Sequence, residues 1–282
     1  NYKQAIEQNT QEVMSLIEAV KSNNVEMVET LYSFGVDLNE PNLDKNHPSI
    51  TALMWAIGIA QPEIATKILE KIDVDVNIQN KDGGTALMLA ITTNQPEIAK
   101  KILDKDGVDV NFQDKDGGTA LMLAIYNNQP EIAKQILDRD DVHVNLKNQH
   151  GITALIWAIV KNQPEIAKQI LDKDGVDINI QQNEGSTALI FAIDKNQPEI
   201  AKQILNRDDV DVNIQNNKNR TALMLAIDKN QPEIAKKILK KPTINVKLKD
   251  NKGNTALMLA NQLHQPAIAN EIRKKETERD NV

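Results

Sequence analysis

With 282 residues, 40% of them hydrophobic but only 3% aromatic, the chain can bury a large aliphatic surface without a core built on rings. Its net charge of -7 is dispersed over 33 basic and 40 acidic residues, which argues against the clustered cations that nucleic-acid binding needs. Cysteine is absent, so a disulfide framework, a Cys-ligated zinc and a thiol nucleophile are excluded; this fits a reducing compartment.

The amino terminus, Asn1-Tyr2-Lys3-Gln4, lacks a secretory core and an initiator Met, as expected at a cloning boundary. Asn9 followed by Glu12 has the form of a capping box ahead of Val13, Leu16, Ile17 and Val20, and a second helix carries Met27, Val28 and Leu31. These are the helices of a degenerate first unit over residues 1–46, and the polar Glu18, Lys21 and Glu29 mark it as an N-terminal cap. A long connector follows: four more residues lie between Asn39 and Thr51 than between Asn77 and Thr85, among them Pro41 and His47-Pro48. Extra loop length is where function often concentrates, although a plain connector is the simpler expectation.

From Thr51 the chain is periodic. Thr51, Thr85, Thr119, Thr153, Thr187, Thr221 and Thr255 each open a Thr-Ala-Leu triplet, at a spacing of 34 residues. Fixed-period self-similarity in this range marks a repeat array, in which function belongs to what varies between copies. In the unit Thr85–Gly118, Thr85 is the N-cap of a short helix whose apolar face is Ala86, Leu87, Leu89, Ala90 and Ile91. Asn94 tolerates the left-handed backbone that stops a helix, and Pro96 suits the first position of a second one. Ile98, Ala99, Ile102 and Leu103 form its apolar stripe, with Glu97 and Lys101 four apart on the wet side. Val108-Asp109-Val110-Asn111-Phe112 alternates like a strand, and Asp116-Gly117-Gly118 is turn chemistry. One such unit buries too few side chains to offset the ordering of its own backbone, so units must stack.

The sequence DKDGGTALMLAI…NQPEIAKKILDKDGVDVN resembles the ankyrin repeat over about residues 10–275. The resemblance implies an all-α, right-handed, curved solenoid of helix-turn-helix units joined by β-hairpin-like fingers, which binds proteins and performs no catalysis. Ala86 stands where the family has Pro, Met88 where it has His, and Asn94-Gln95 where it has Gly-His. Without the His, the family's usual side-chain hydrogen bond near the finger is in doubt, and Met88 is expected to fill the space. The organisation expected is one repeat domain over 1–275: an N-terminal cap at 1–50, full repeats at 51–84, 85–118, 119–152, 153–186, 187–220 and 221–254, and a C-terminal capping repeat at 255–275. In that last repeat Asn261, Ala267 and Arg273 make the helices more polar, and 276–282 is expected to be a frayed tail.

Motifs for chemistry are weak. His47, His143, His150 and His264 share no metal-ligand spacing, and the glycine pairs before helices are not followed by Gly-Lys-Ser/Thr. The loops Asp104–Asp109 and Asp172–Asp177 superficially match calcium ligand spacing, but the glycine comes one ligand early and no Glu closes the loop. We therefore expect no catalytic residues, metal or cofactor, and read the acidic loops as turns. The longest apolar run, Ala154–Val160, is too short to span a bilayer.

Variation between copies gathers at the finger tips and at the ends of the first helices, which the ankyrin resemblance places on a concave, partner-contacting groove. The candidate partner-binding residues are Asp116, Tyr126, Asn127, His150, Ile152, Val160, Lys161, Glu184, Asp194, Lys195, Lys218, Arg220, Asp228 and Lys229. Asp82, Thr92 and Lys252 hold equivalent places, and the tips run from acidic to basic along the chain. Tyr126, Ile152 and Val160 are expected to be exposed and to act as anchors. Trp55, Trp157 and Phe191 replace a Leu four residues after the threonine and are expected to pack half-buried. The function expected is a monomeric, cytoplasmic scaffold that binds another protein and neither nucleic acid nor membrane. Alternatives are the targeting domain of a larger enzyme, a microbial effector exported into a host cell's cytoplasm, or an engineered consensus array.

Overall fold

From Thr51 onward, each first helix starts because a threonine hydroxyl replaces a backbone partner. The structure, a computed structural model, describes residues 11–12, 15–41 and 49–280. Asn9 and Val13 of the expected capping sequence, and His47-Pro48 of the long connector, lie outside the described residues. Thr85 is extended, and its Oγ1 accepts the Met88 N–H at 3.4 Å. The other six threonines cap in the same way at 3.3–3.5 Å. Asn94 stops the helix at φ +55°, as do Asn128, Asn162, Asn196 and Asn230 in their copies, and Pro96 opens the second helix. His264 takes the same backbone in the last repeat, and Ala60 takes it without asparagine's tolerance for it.

The chain divides into two compact units, Asn1–His143 and Val144–Val282. The first contains α1 (15–21), α2 (Val25–Ser33), α3 (Ala52–Gly58), α4 (Pro62–Leu69), α5 (Ala86–Thr92), α6 (Pro96–Leu103), α7 (Ala120–Tyr126) and α8 (Pro130–Leu137). The second contains α9 (Ala154–Val160), α10 (Pro164–Leu171), α11 (Ala188–Asp194), α12 (Pro198–Asn206), α13 (Ala222–Asp228), α14 (Pro232–Leu239), α15 (Ala256–Gln262) and α16 (Pro266–Asp280). The division falls inside the repeat 119–152, where the sequence carries no break in its pattern.

Within each unit a helix packs on its partner in the repeat and on its counterpart in the next. In the first unit α5 lies against α3, α6 and α7, and α6 against α4 and α8; in the second α11 lies against α9, α12 and α13. The seams are aliphatic: Leu87, Ala90, Ile91, Ile98, Ala99, Ile102 and Leu103 are all at most 5% exposed. The alanines at the contacts let helices approach closely, and Met88 is buried in the place expected of it. On the wet side the ion pair is Glu97–Lys100 at 2.9 Å, three residues apart; the expected partner Lys101 is one position further round the helix.

Two expectations are corrected. The stretch Val108–Phe112 is not a strand, and among the described residues none is formed. Its alternation is real, with Val108 and Val110 buried, but side chains satisfy the backbone there: Asp109 accepts the Asn111 N–H at 2.8 Å, closing a local turn. The end of the expected tail is also ordered as helix, since α16 runs on through 276–280.

Asparagines join the repeats. Asn179 Nδ2 donates to the Asp209 carbonyl at 2.7 Å, and its Oδ1 accepts the Asp211 N–H at 2.8 Å. Asn179→Ala removes both bonds and is expected to lower stability in urea denaturation by about 1–3 kcal/mol, whereas Asn206→Ala, on exposed helix surface, should stay within about 0.5 kcal/mol.

Candidate functional site

The fingers are held at close spacing by turn chemistry. Asp114 Oδ1 accepts the N–H groups of Asp116 at 3.0 Å and Gly118 at 2.7 Å, folding the chain back toward its helix. Gly83 sits at φ +77°, and a Cβ there would come within 3.0 Å of the Asp114 Cα in the next finger. That approach lets Lys115 N–H donate to the Asp82 carbonyl at 2.8 Å. In the second unit, the Asn217 N–H donates to the Glu184 carbonyl at 2.8 Å in the same manner.

Between fingers and first helices lie grooves, one of which forms in the first unit over α5 and α7. It encloses about 400 Å³ and is lined by Asp82, Thr92, Lys115 and Asp116 above Met88, Leu89 and Leu123. Lys115 Nζ reaches Asp82 Oδ1 at 2.9 Å, which closes the charge at that rim and holds the Asp82 carboxyl below the usual carboxylate range.

The larger groove lies within the second unit, between the fingers 182–186 and 216–220 and over α11 and α13. It encloses about 630 Å³. The structure brings together here Glu184, Asp194, Lys218, Arg220, Asp228 and Lys229, six of the residues singled out in the sequence. Lys229 Nζ lies 2.9 Å from Asp194 Oδ1, and Lys195 Nζ lies 3.8 Å from its other oxygen. The hydrogen bond from Lys229 holds the Asp194 carboxyl below the usual range, against the opposing effect of partial burial. Arg220 is half-buried: its guanidinium reaches down from the finger to Asp228 at 3.2 Å and to the Met224 carbonyl at 3.3 Å, a cation at the C-terminal end of α13.

The remaining candidates lie elsewhere. Asp116 lines the smaller groove, while Tyr126, 51% exposed, and Asn127 stand at the end of α7 in the first unit. Asn127 donates from its side chain to the Leu123 carbonyl at 2.9 Å, capping that helix. In the second unit His150 is an exposed tip whose carbonyl accepts the Asn183 N–H at 3.0 Å. Ile152 and Val160, expected to be exposed, are half-buried. Ile152 holds the place of Gly118 at the finger base, where its N–H is drawn in to Asn148 Oδ1 at 3.0 Å; Val160 is the last residue of α9. Lys161, next to it, lies over the Trp157 ring at 5.8 Å.

The loops that follow α8 and α12 are closed by arginine side chains. Arg139 donates to both oxygens of Asp141 and, at 3.0 Å, to the Val108 carbonyl; Arg207 does the same with Asp209 and the Leu171 carbonyl. Among the described residues no three His, Cys, Asp or Glu side chains converge as metal ligands, and no helix is long and apolar enough to cross a membrane.

Groove residues that the sequence reading missed are Gln182, Ser186, Ile190, Leu225 and the asparagines Asn216 and Asn217. Phe191, expected to pack, is half-buried as expected and also lines the groove. The available signal was positional: the residue four after the threonine is the one place in the first helix where Trp55, Trp157 and Phe191 replace leucine.

The family described as ankyrin repeats in three copies matches residues 16–114, 106–182 and 189–280. Among solved structures, the ankyrin repeat domain of Bcl-3, a member of the IkappaB protein family, is similar with a TM-score of 0.59 and 22% identity, covering 79% of this chain and 97% of that one. A chain from the complex of the predatory endopeptidase Bd0816 of Bdellovibrio bacteriovorus with immunity protein Bd3460 is similar with a TM-score of 0.54 and 29% identity, covering 70% and 99%. No curated protein matches the sequence.

The Asp194 carboxylate contributes stability above the ordinary value of 3.8, and that contribution is lost as pH falls through its lower folded value. Carbon-13 NMR of the Asp194 carboxyl is expected to give a midpoint below 3.8, and Lys229→Met should move it back up toward that value.

Proposed function

We propose that this chain, which belongs to the ankyrin repeat family, is a non-catalytic scaffold that holds a partner protein against the finger and first-helix face of its repeats. The observation that carries this reading is the pair of grooves. Both are floored by first-helix aliphatic or aromatic side chains and rimmed by finger charges. The helix seams close without those rim residues, so stability leaves them free to vary. The endopeptidase–immunity protein complex contains a chain of similar fold, which supports a protein as the class of ligand.

An apolar floor with a charged rim is what protein hot spots require: the floor supplies desolvated contact, and the rim supplies orientation and rejection of wrong partners. Tyr126 adds an exposed ring at the end of α7 in the first unit, and Lys161 a cation at the end of α9 in the second. Both belong to this face by sequence position within the repeat.

Cross-linked capture from cells, identified by mass spectrometry, tests the reading. Tyr126→Ala, Lys161→Ala and Lys218→Glu together are expected to weaken recovery of the principal partner at least about tenfold, a loss of roughly 1.4 kcal/mol or more. Lys100→Ala with Lys202→Ala, on the second helices, should leave recovery unchanged. Equal recovery by both sets would overturn the assignment of this face.

A further inference from the structure

In the larger groove, most of the charge is already spent within the protein. Asp194 is engaged by Lys229 at 2.9 Å, and Asp228 by Arg220 at 3.2 Å. Two charged lining residues stand apart from this. Glu184 and Lys218 are exposed, occupy corresponding positions on neighbouring fingers, and neither their carboxylate nor their ammonium has a partner among the described residues.

A substitution one position before the tip explains why. In the first unit Lys115 follows Asp114 and closes onto Asp82 of the preceding finger at 2.9 Å. The residue that corresponds to Lys115 in the second unit is Asn217. Its side-chain amide donates to the Asn183 carbonyl at 3.3 Å, leaving the Glu184 carboxylate without a cation. The fingers stay joined through the Asn217 N–H to Glu184 carbonyl bond, so the exchange of lysine for asparagine opens the charge without loosening the stack. Beneath the two tips lie Phe191, half-buried, and Leu225, 8% exposed.

We propose that this groove takes an extended polypeptide segment in which one bulky apolar side chain, seated over Phe191 and Leu225, is flanked by a basic residue facing Glu184 and an acidic residue facing Lys218. The proposal deepens the scaffold reading and rests on it. A uniformly acidic or basic segment meets one matched and one like charge at the rim. A charge-split segment matches both, and the apolar residue between them covers the floor.

The test uses the full chain and fluorescence anisotropy with short labelled peptides in a Gly-Ser frame. Their centres are Asp-Leu-Lys, Lys-Leu-Asp, Asp-Leu-Asp, Lys-Leu-Lys and Ser-Leu-Ser. One of the two charge-split peptides is expected to bind the unaltered chain about two- to fivefold more tightly than either like-charged peptide, the range that exposed charge contacts give. In Glu184→Lys the preference should pass to the doubly acidic peptide, in Lys218→Glu to the doubly basic one. Glu184→Gln, which adds no new charge, should erase the advantage of the charge-split peptide over the doubly acidic one, and Lys218→Gln its advantage over the doubly basic one, and circular dichroism confirms that each variant is folded. Peptides that bind with the same ranking in every variant would overturn the charge-split assignment while leaving the scaffold reading in place. Absence of measurable binding by all five peptides also overturns the assignment, and the capture experiment then decides the scaffold reading separately.

Discussion

The architecture depends on the carboxamide of an asparagine that follows the second helix in six successive repeats, from Asn39 to Asn213; Lys247 stands at that place in the next. With no sheet to pair the backbone in that stretch, its N–H and C=O groups need other partners. Asparagine supplies both kinds at once. Asn77 Nδ2 donates to the Gly107 carbonyl at 2.8 Å, and its Oδ1 accepts the Asp109 N–H at 2.9 Å. Aspartate lacks the donor and glutamine places the same group one methylene further out. The arrangement recurs at Asn39 and Asn111 in the first unit and at Asn145, Asn179 and Asn213 in the second.

Two further polar contacts repeat on other parts of the unit. At the start of the second helix, Gln95 donates to the Ile57 carbonyl at 2.6 Å, and Gln231 reaches the Ile193 carbonyl at 2.8 Å. These carbonyls lie near the end of the preceding repeat's first helix, where backbone acceptors lack intrahelical donors. At the end of the second helix a basic side chain serves: Lys105 reaches the carbonyls of Leu69 and Lys71, and Lys241 that of Arg207. Aliphatic burial supplies non-directional adhesion between neighbours, whereas these contacts fix their register.

Most of the fold was legible in the sequence because its signals are local. A threonine cap, an asparagine stop and a proline start each act within a few residues, and the spacing of Ile98, Ala99, Ile102 and Leu103 defines a face by itself. What was not legible depends on reach. Period alone says that Asn77 and Asn111 are equivalent, but not that their side chains cross to the next repeat instead of turning inward, so Val108–Phe112 read as a strand. Six of the candidate residues meet in one groove because tip and helix-end positions both face it. Ile152 misled because the residue before the threonine belongs to the finger base; at that same place Arg220 lines the groove because its long side chain folds down onto α13. The unpaired state of Glu184 turns on Lys115 and Asn217, positions that vary without any visible change in pattern.

The asparagine bonds have a genetic corollary. Because Asn179 finds its carbonyl thirty residues onward just as Asn77 does, a gene that gained or lost a block of 34 codons by unequal crossing-over between repeats of this kind would leave the asparagine at the junction a backbone carbonyl at the same spacing. Such a chain could change its number of repeats in one event without a misfolded intermediate. Length is therefore cheap to alter in this design, while each groove's chemistry must be rewritten one substitution at a time.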